Sequence, residues 1–150
     1  MFIIITMTNR YVIDTNCLIN YFHSLFNEED KLSNITRSII TRAFNKSGDV
    51  ILIIPSIVLI EIYYKWFKSE EFARKFYYEV YIQITNSPYI EIKPIEKEVL
   101  ENLLVINIKH DIHDKIILAS ALMLECPIIT YDRVIIKYVS KTGKIPATIS

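Results

Sequence analysis

Val50-Ile51-Leu52-Ile53-Ile54 is an unbroken apolar run, with Ser47-Gly48-Asp49 before it and Pro55-Ser56 after it. A short, mostly β-branched run of this kind reads as a strand. It leaves no polar face for water, so other elements must cover both of its sides. A parallel sheet held between helices provides that environment. No other stretch constrains the fold as much.

The remaining elements fit the same scheme. Tyr11-Val12-Ile13 reads as a second buried strand ending at Asp14, followed by a helix from Thr15 that carries Leu18, Ile19 and Phe22. Asn27 to Asp30 looks like a loop. Ile35, Ile39 and Ala43 then mark one helix face, closed by the turn at 47–49. Pro55-Ser56 opens a helix that contains Glu61. Phe72, Phe76 and Val80 predict a helix over 70–85, and Tyr89 to Ile92 alternates as a strand. Val99, Leu103 and Ile106 mark another helix. Asp111 is a candidate N-cap for a helix through Leu124. Pro127 to Thr130 reads as a strand ending at Asp132, Val134 to Val139 as a helix, and Lys144 to Ile149 as a last edge strand. Strands alternating with helices predict an α/β fold: three α/β/α layers around a parallel sheet of four to five strands. With 150 residues and no linker or repeat, one domain over 1–150 is enough.

Composition excludes several function classes. Gly48 and Gly143 are the two glycines, so no glycine-rich phosphate loop can form. Lys plus Arg equals Asp plus Glu at 17 each, which argues against binding nucleic acid by bulk positive charge. The longest uncharged apolar stretch, Val50 to Ile60, is too short to cross a bilayer, which takes about 20 residues. Cys17 and Cys126 lack metal-ligand spacing and read as buried free thiols, as expected for a cytoplasmic protein. The opening Met1 to Ile5 is too short for a signal peptide, and Met7 offers a second start.

The sheet reading gathers four acids from distant parts of the chain. Helices that follow parallel strands begin at the edge where the strands end, and ligands bind beyond that edge. Asp14 and Asp132 follow strands, while Glu61 and Asp114 lie early in helices. Taken singly, each suits a turn or the helix dipole. Glu61 and Asp114 also sit within Ile-rich sequence, where a carboxylate is costly unless a cation or metal balances it. The basic residues nearest the acids in sequence are Arg10, Lys65, Lys115 and Arg133, and each suits either a phosphate contact or open solvent. His110 and His113 could serve as ligands, but a solvated loop histidine is the plainer reading for each, and His113 could contact phosphate. Tyr63-Tyr64-Lys65-Trp66-Phe67 and Phe76-Tyr77-Tyr78 suit a mixture of core packing and partner surface.

Four blocks together resemble the PIN-domain ribonucleases: Val12-Ile13-Asp14-Thr15-Asn16-Cys17-Leu18-Ile19, Pro55 to Glu61, His113 to Ala121 and Ile128-Ile129-Thr130-Tyr131-Asp132. The resemblance runs over roughly residues 10 to 149, and its single-domain size is similar to VapC-type toxins of toxin–antitoxin pairs. It implies that Asp14, Glu61, Asp114 and Asp132 hold one or two Mg²⁺ or Mn²⁺ ions for hydrolysis of RNA phosphodiesters. Hard divalent cations suit such oxygen donors, and they lower the pKa of bound water. Asp14 and Asp114 are the first candidates for direct ligands; Glu61 and Asp132 either ligate or orient water. Thr15, Asn16 and Thr130 become outer donors that fix the carboxylates. The resemblance also implies an RNA substrate, a small antitoxin partner and a homodimer.

Other classes fit less well. A haloacid-dehalogenase-like phosphatase wants an Asp where Asn16 stands, and a receiver domain wants an acidic pair near its first strand. An RNA-processing nuclease outside a toxin pair, or an inactive PIN-like binding module, remains as the alternative. Setting the four acids aside leaves 13 acidic residues against 17 basic ones, so an acidic pocket with a mildly basic surround is compatible with zero net charge.

Overall fold

The computed structural model describes residues 9–143. The expected edge strand at 144–149 and the two candidate start methionines lie outside them. In chain order the elements are β1 (Asn9–Ile13), α1 (Thr15–Tyr21), α2 (His23–Phe26), α3 (Asn34–Phe44), β2 (Val50–Pro55) and α4 (Ser56–Trp66). They continue with α5 (Glu70–Phe76), a π-helical turn (Tyr77–Tyr81), α6 (Ile82–Asn86) and β3 (Ile90–Lys93). The last are α7 (Lys97–Leu103), α8 (Ile112–Leu124), β4 (Ile128–Ile129) and α9 (Arg133–Thr142).

The strands form a parallel sheet in the order β3-β2-β1-β4. Asn9 to Val12 pair with Val50 to Ile53, and Val12 and Ile13 pair with Ile128 and Ile129. Leu52, Ile53 and Ile54 are fully buried, as the apolar run requires. With helices flanking the sheet, the architecture is the expected three-layer α/β/α fold, with four strands among the described residues. Because all pairs are parallel, every strand ends at the same edge.

The core is built mostly from Ile, Val and Leu of the strands and the inward stripes of α1, α3, α4 and α8. An aromatic annex extends it. Phe26 packs edge-on to Trp66 at 5.2 Å between ring centroids, and Phe67 meets Phe76 at 5.1 Å. Tyr63, Tyr64 and Tyr78 are largely exposed, so the aromatic segments do divide between packing and surface.

Three boundaries differ from the sequence expectation. The helix over 70–85 passes through the π turn, which adds a residue to one turn and shifts the side-chain stripe. The helix marked by Val99 ends at Leu103, before Ile106. The strand β4 stops at Ile129, so Thr130 and Tyr131 separate it from Asp132.

Candidate metal centre

Asp14 directly follows β1, and its amide donates to the Ile129 carbonyl at 3.0 Å, so backbone pairing with β4 reaches the sheet edge. Asp14 occupies the N-cap position of α1, yet its carboxylate makes no capping bond to that helix. It turns to Thr130 instead, whose Oγ1 donates to Asp14 Oδ2 at 2.8 Å. Both side chains are buried, Asp14 at 2% exposure and Thr130 at 0%. No cationic side chain among the described residues pairs with Asp14. Burial therefore raises its pKa to about 6, opposed by hydrogen bonds from the Thr130 hydroxyl and the Thr15 amide and helped by repulsion from Asp132 and Glu61.

Asp132 follows β4 and behaves differently. Its Oδ1 caps α9, accepting from the amides of Val134 at 2.8 Å and Ile135 at 3.3 Å. Its own amide donates to Thr130 Oγ1 at 3.0 Å. Oδ2 lies 2.9 Å from His110 Nε2. Burial pushes the Asp132 pKa up, but the bonds from His110 and the two amides outweigh it and bring the net pKa below the usual carboxylate value.

Asp114 stands in the first turn of α8, where Asp111 accepts from its amide at 3.4 Å and caps the helix as expected. Asp114 Oδ2 lies 3.0 Å from the same His110 nitrogen. Burial, then the charges of Asp14 and Asp111, raise the Asp114 pKa to about 7. Glu61, in the second turn of α4, is the one of the four with a lysine partner among the described residues. Thr15 Oγ1 donates to its Oε2 at 3.2 Å, and Lys65 Nζ donates to Oε1 at 2.9 Å.

Thr130 thus touches Asp14 and Asp132, Thr15 touches Glu61, and His110 touches Asp114 and Asp132. Asp14 lies within electrostatic reach of the other three carboxylates. Oxygen donors at this density fit a hard divalent cation. The ligand atoms of His110, Asp114 and Asp132 all lie within 4.8 Å of one another. Cys17 is buried one helical turn beyond Asp14, and burial pushes its thiol pKa up, which keeps it protonated and inert.

The PIN domain family model matches residues 11–141. The chain belongs to the PIN domain family. No curated protein matches it. Two solved structures share the PIN fold at low identity. VapBC2 from Rickettsia felis, bound to a DNA fragment from its promoter, is 16% identical with a TM-score of 0.61. FitAcB from Neisseria gonorrhoeae is 10% identical with a TM-score of 0.62. Each alignment covers 93% of this chain and 96% of the other.

Within this PIN domain, two residues depart from their sequence reading. Asn16 is exposed; its carbonyl accepts from Asn20 Nδ2 at 3.0 Å, and its side chain bonds to none of the four acids. Thr15, by contrast, is buried and its hydroxyl donates to Glu61. His110 is not a solvated loop residue, because two carboxylates hold its ring. Its position four residues before Asp114 is the available sequence signal. Reasoning from sequence missed Asn20. Its Nδ2 donates to the Tyr131 hydroxyl at 3.0 Å and its Oδ1 accepts from the Lys31 amide at 2.7 Å, which ties α1 to the segment carrying Asp132.

Proposed function

We propose that the chain is a single PIN nuclease domain over 1–150 and acts as a metal-dependent endoribonuclease, the toxin of a toxin–antitoxin pair. The observation that carries this reading is Asp14, a carboxylate buried at the sheet edge with no cationic side chain paired to it and three more carboxylates around it. A structural role alone would favour replacing such a group, since its ionised form costs several kcal/mol of desolvation.

Asp14, Glu61, Asp114 and Asp132 would hold Mg²⁺ or Mn²⁺. When bound, the cation supplies an activated water and neutralises charge on the scissile phosphodiester. Thr130 orients Asp14 through the Oγ1–Oδ2 bond, and Thr15 orients Glu61. Lys65 offsets the charge of Glu61 and stands beside the site with half of its side chain in water, open to an RNA phosphate.

The toxin assignment is supported by the single-domain size, which resembles VapC-type toxins, and by the fold shared with VapBC2. By the same reasoning a small antitoxin is the protein partner, the chain forms a homodimer, and it works in the cytoplasm. None of the described helices is long and apolar enough to cross a membrane.

The deciding assay incubates purified chain with RNA. Cleavage is expected with Mg²⁺ or Mn²⁺, and none in excess EDTA or in Asp14→Asn and Asp114→Asn that keep the native circular dichroism. Full activity in EDTA, or in both variants, overturns the nuclease reading. Growth arrest on induced expression, relieved by the product of an adjacent small reading frame, tests the toxin assignment separately.

A further inference from the structure

The divalent-cation reading leaves His110 without a role, and the inference here rests on that reading. Its Nε2 lies 2.9 Å from Asp132 Oδ2 and 3.0 Å from Asp114 Oδ2. In an octahedral shell with bonds of about 2.1 Å, ligands at right angles stand about 3.0 Å apart. Both His110 distances match that edge. His110 Nε2 is therefore spaced from each carboxylate as a neighbouring ligand on one cation would be, and all three ligand atoms lie within 4.8 Å of one another.

The supports on each side are firm. Asp132 is held by its cap to α9, which leaves Oδ2 turned to His110. Asp114 is held in the first turn of α8. His113 offers no equivalent, since its Nδ1 stands 4.0 Å from Glu61 and 3.8 Å from Asp111, beyond hydrogen-bond reach.

We propose that His110 Nε2 ligates the divalent cation together with Asp114 and Asp132, and that this nitrogen makes the site favour Mn²⁺ over Mg²⁺. Mg²⁺ prefers oxygen donors and retains its waters, whereas imidazole suits first-row transition ions. A carboxylate-only site would discriminate less between the two.

Pulsed electron paramagnetic resonance of Mn²⁺ bound to the full chain tests this without an activity assay. Coupling to a directly bound imidazole nitrogen is expected in the wild type and in His113→Ala, and is expected to vanish in His110→Ala. Calorimetric titration should show Mn²⁺ affinity falling about tenfold or more in His110→Ala, with Mg²⁺ affinity changing less than about threefold. Absence of nitrogen coupling, or Mn²⁺ affinity unchanged or raised in His110→Ala, overturns the assignment. Asp114→Asn separates the two levels. Wild-type Mn²⁺ binding in that variant defeats the metal centre itself, while Asp114-dependent binding without nitrogen coupling removes only His110.

Discussion

Asp14 and Asp132 come from matching places, the carboxyl ends of the adjacent parallel strands β1 and β4, yet the fold treats them in opposite ways. Both stand at a helix N-cap position. Asp132 uses the cap, takes two amide hydrogen bonds and is held below the usual carboxylate pKa. Asp14 does not cap α1, is buried, and is pushed up to about 6. Helix capping stabilises a carboxylate by about 0.5–2 kcal/mol. At Asp14 that stabilisation is forgone, and the group stays poorly neutralised. The contrast teaches that a strand-end aspartate stabilises the fold when it caps the helix that follows, and serves as a site when it is buried without a cap or a cationic partner.

The strongest way to break this comparison is to neutralise Asp14. Asp14→Asn should lower RNA cleavage more than about 100-fold, beyond the usual loss on removing an outer partner of a metal ligand. In EDTA the same change should raise Tm, because it removes a buried charge and keeps the acceptor for Thr130. Asp132→Asn should lower Tm instead, since its cap weakens and His110 loses an ionic partner. Equal signs from the two variants in a thermal melt would defeat the contrast.

The pH dependence in EDTA sharpens it. A group whose folded pKa is raised holds its proton more tightly in the native state, so its contribution to stability is present below the unfolded value and lost as pH rises through the folded one. For Asp14 this window runs from 3.8 to about 6, and for Asp114 from 3.8 to about 7. His110, raised by its bond to Asp132, acts in the same direction at higher pH. Asp132, lowered, loses its contribution only as pH falls through the acid range below 3.8. Tm in EDTA should therefore peak near pH 4–5 and fall toward pH 8. Asp14→Asn should flatten the fall, and saturating Mn²⁺ should reverse it, since cation binding gains as the carboxylates ionise.

Smaller effects should follow from the supports. Thr130→Val keeps the shape but leaves both Asp14 and the Asp132 amide short of a partner. It should cost about 1–3 kcal/mol by denaturant titration and reduce cleavage about 10–100-fold. Lys65→Met should change stability by no more than about 1 kcal/mol, because its pair with Glu61 is half exposed.

Much of this was legible in the residues. The buried run at 50–54 and the alternation of strand and helix required a covered parallel sheet, and one edge then collected Asp14, Glu61, Asp114 and Asp132. The order β3-β2-β1-β4 was not legible, because strand order depends on long-range pairing that local pattern does not encode. The π turn at 77–81 was hidden because Phe72, Phe76 and Val80 keep a helical rhythm through it. The solvated reading of His110 fell short for a related reason. The residue lies just before α8, and its partners are set by where the end of β4 meets the start of that helix. Asn16 failed in the opposite way, since its place beside Asp14 and Thr15 looked functional although one step along a helix turns a side chain by about 100°.

The Thr130 hydroxyl carries a single proton, and the Asp132 amide beside it can only donate. That proton is therefore committed to Asp14 Oδ2, and the polarity of the whole chain of bonds is settled by covalent structure. A proton arriving at Asp14 is steered to Oδ1, so the two oxygens of this carboxylate are chemically inequivalent before anything binds.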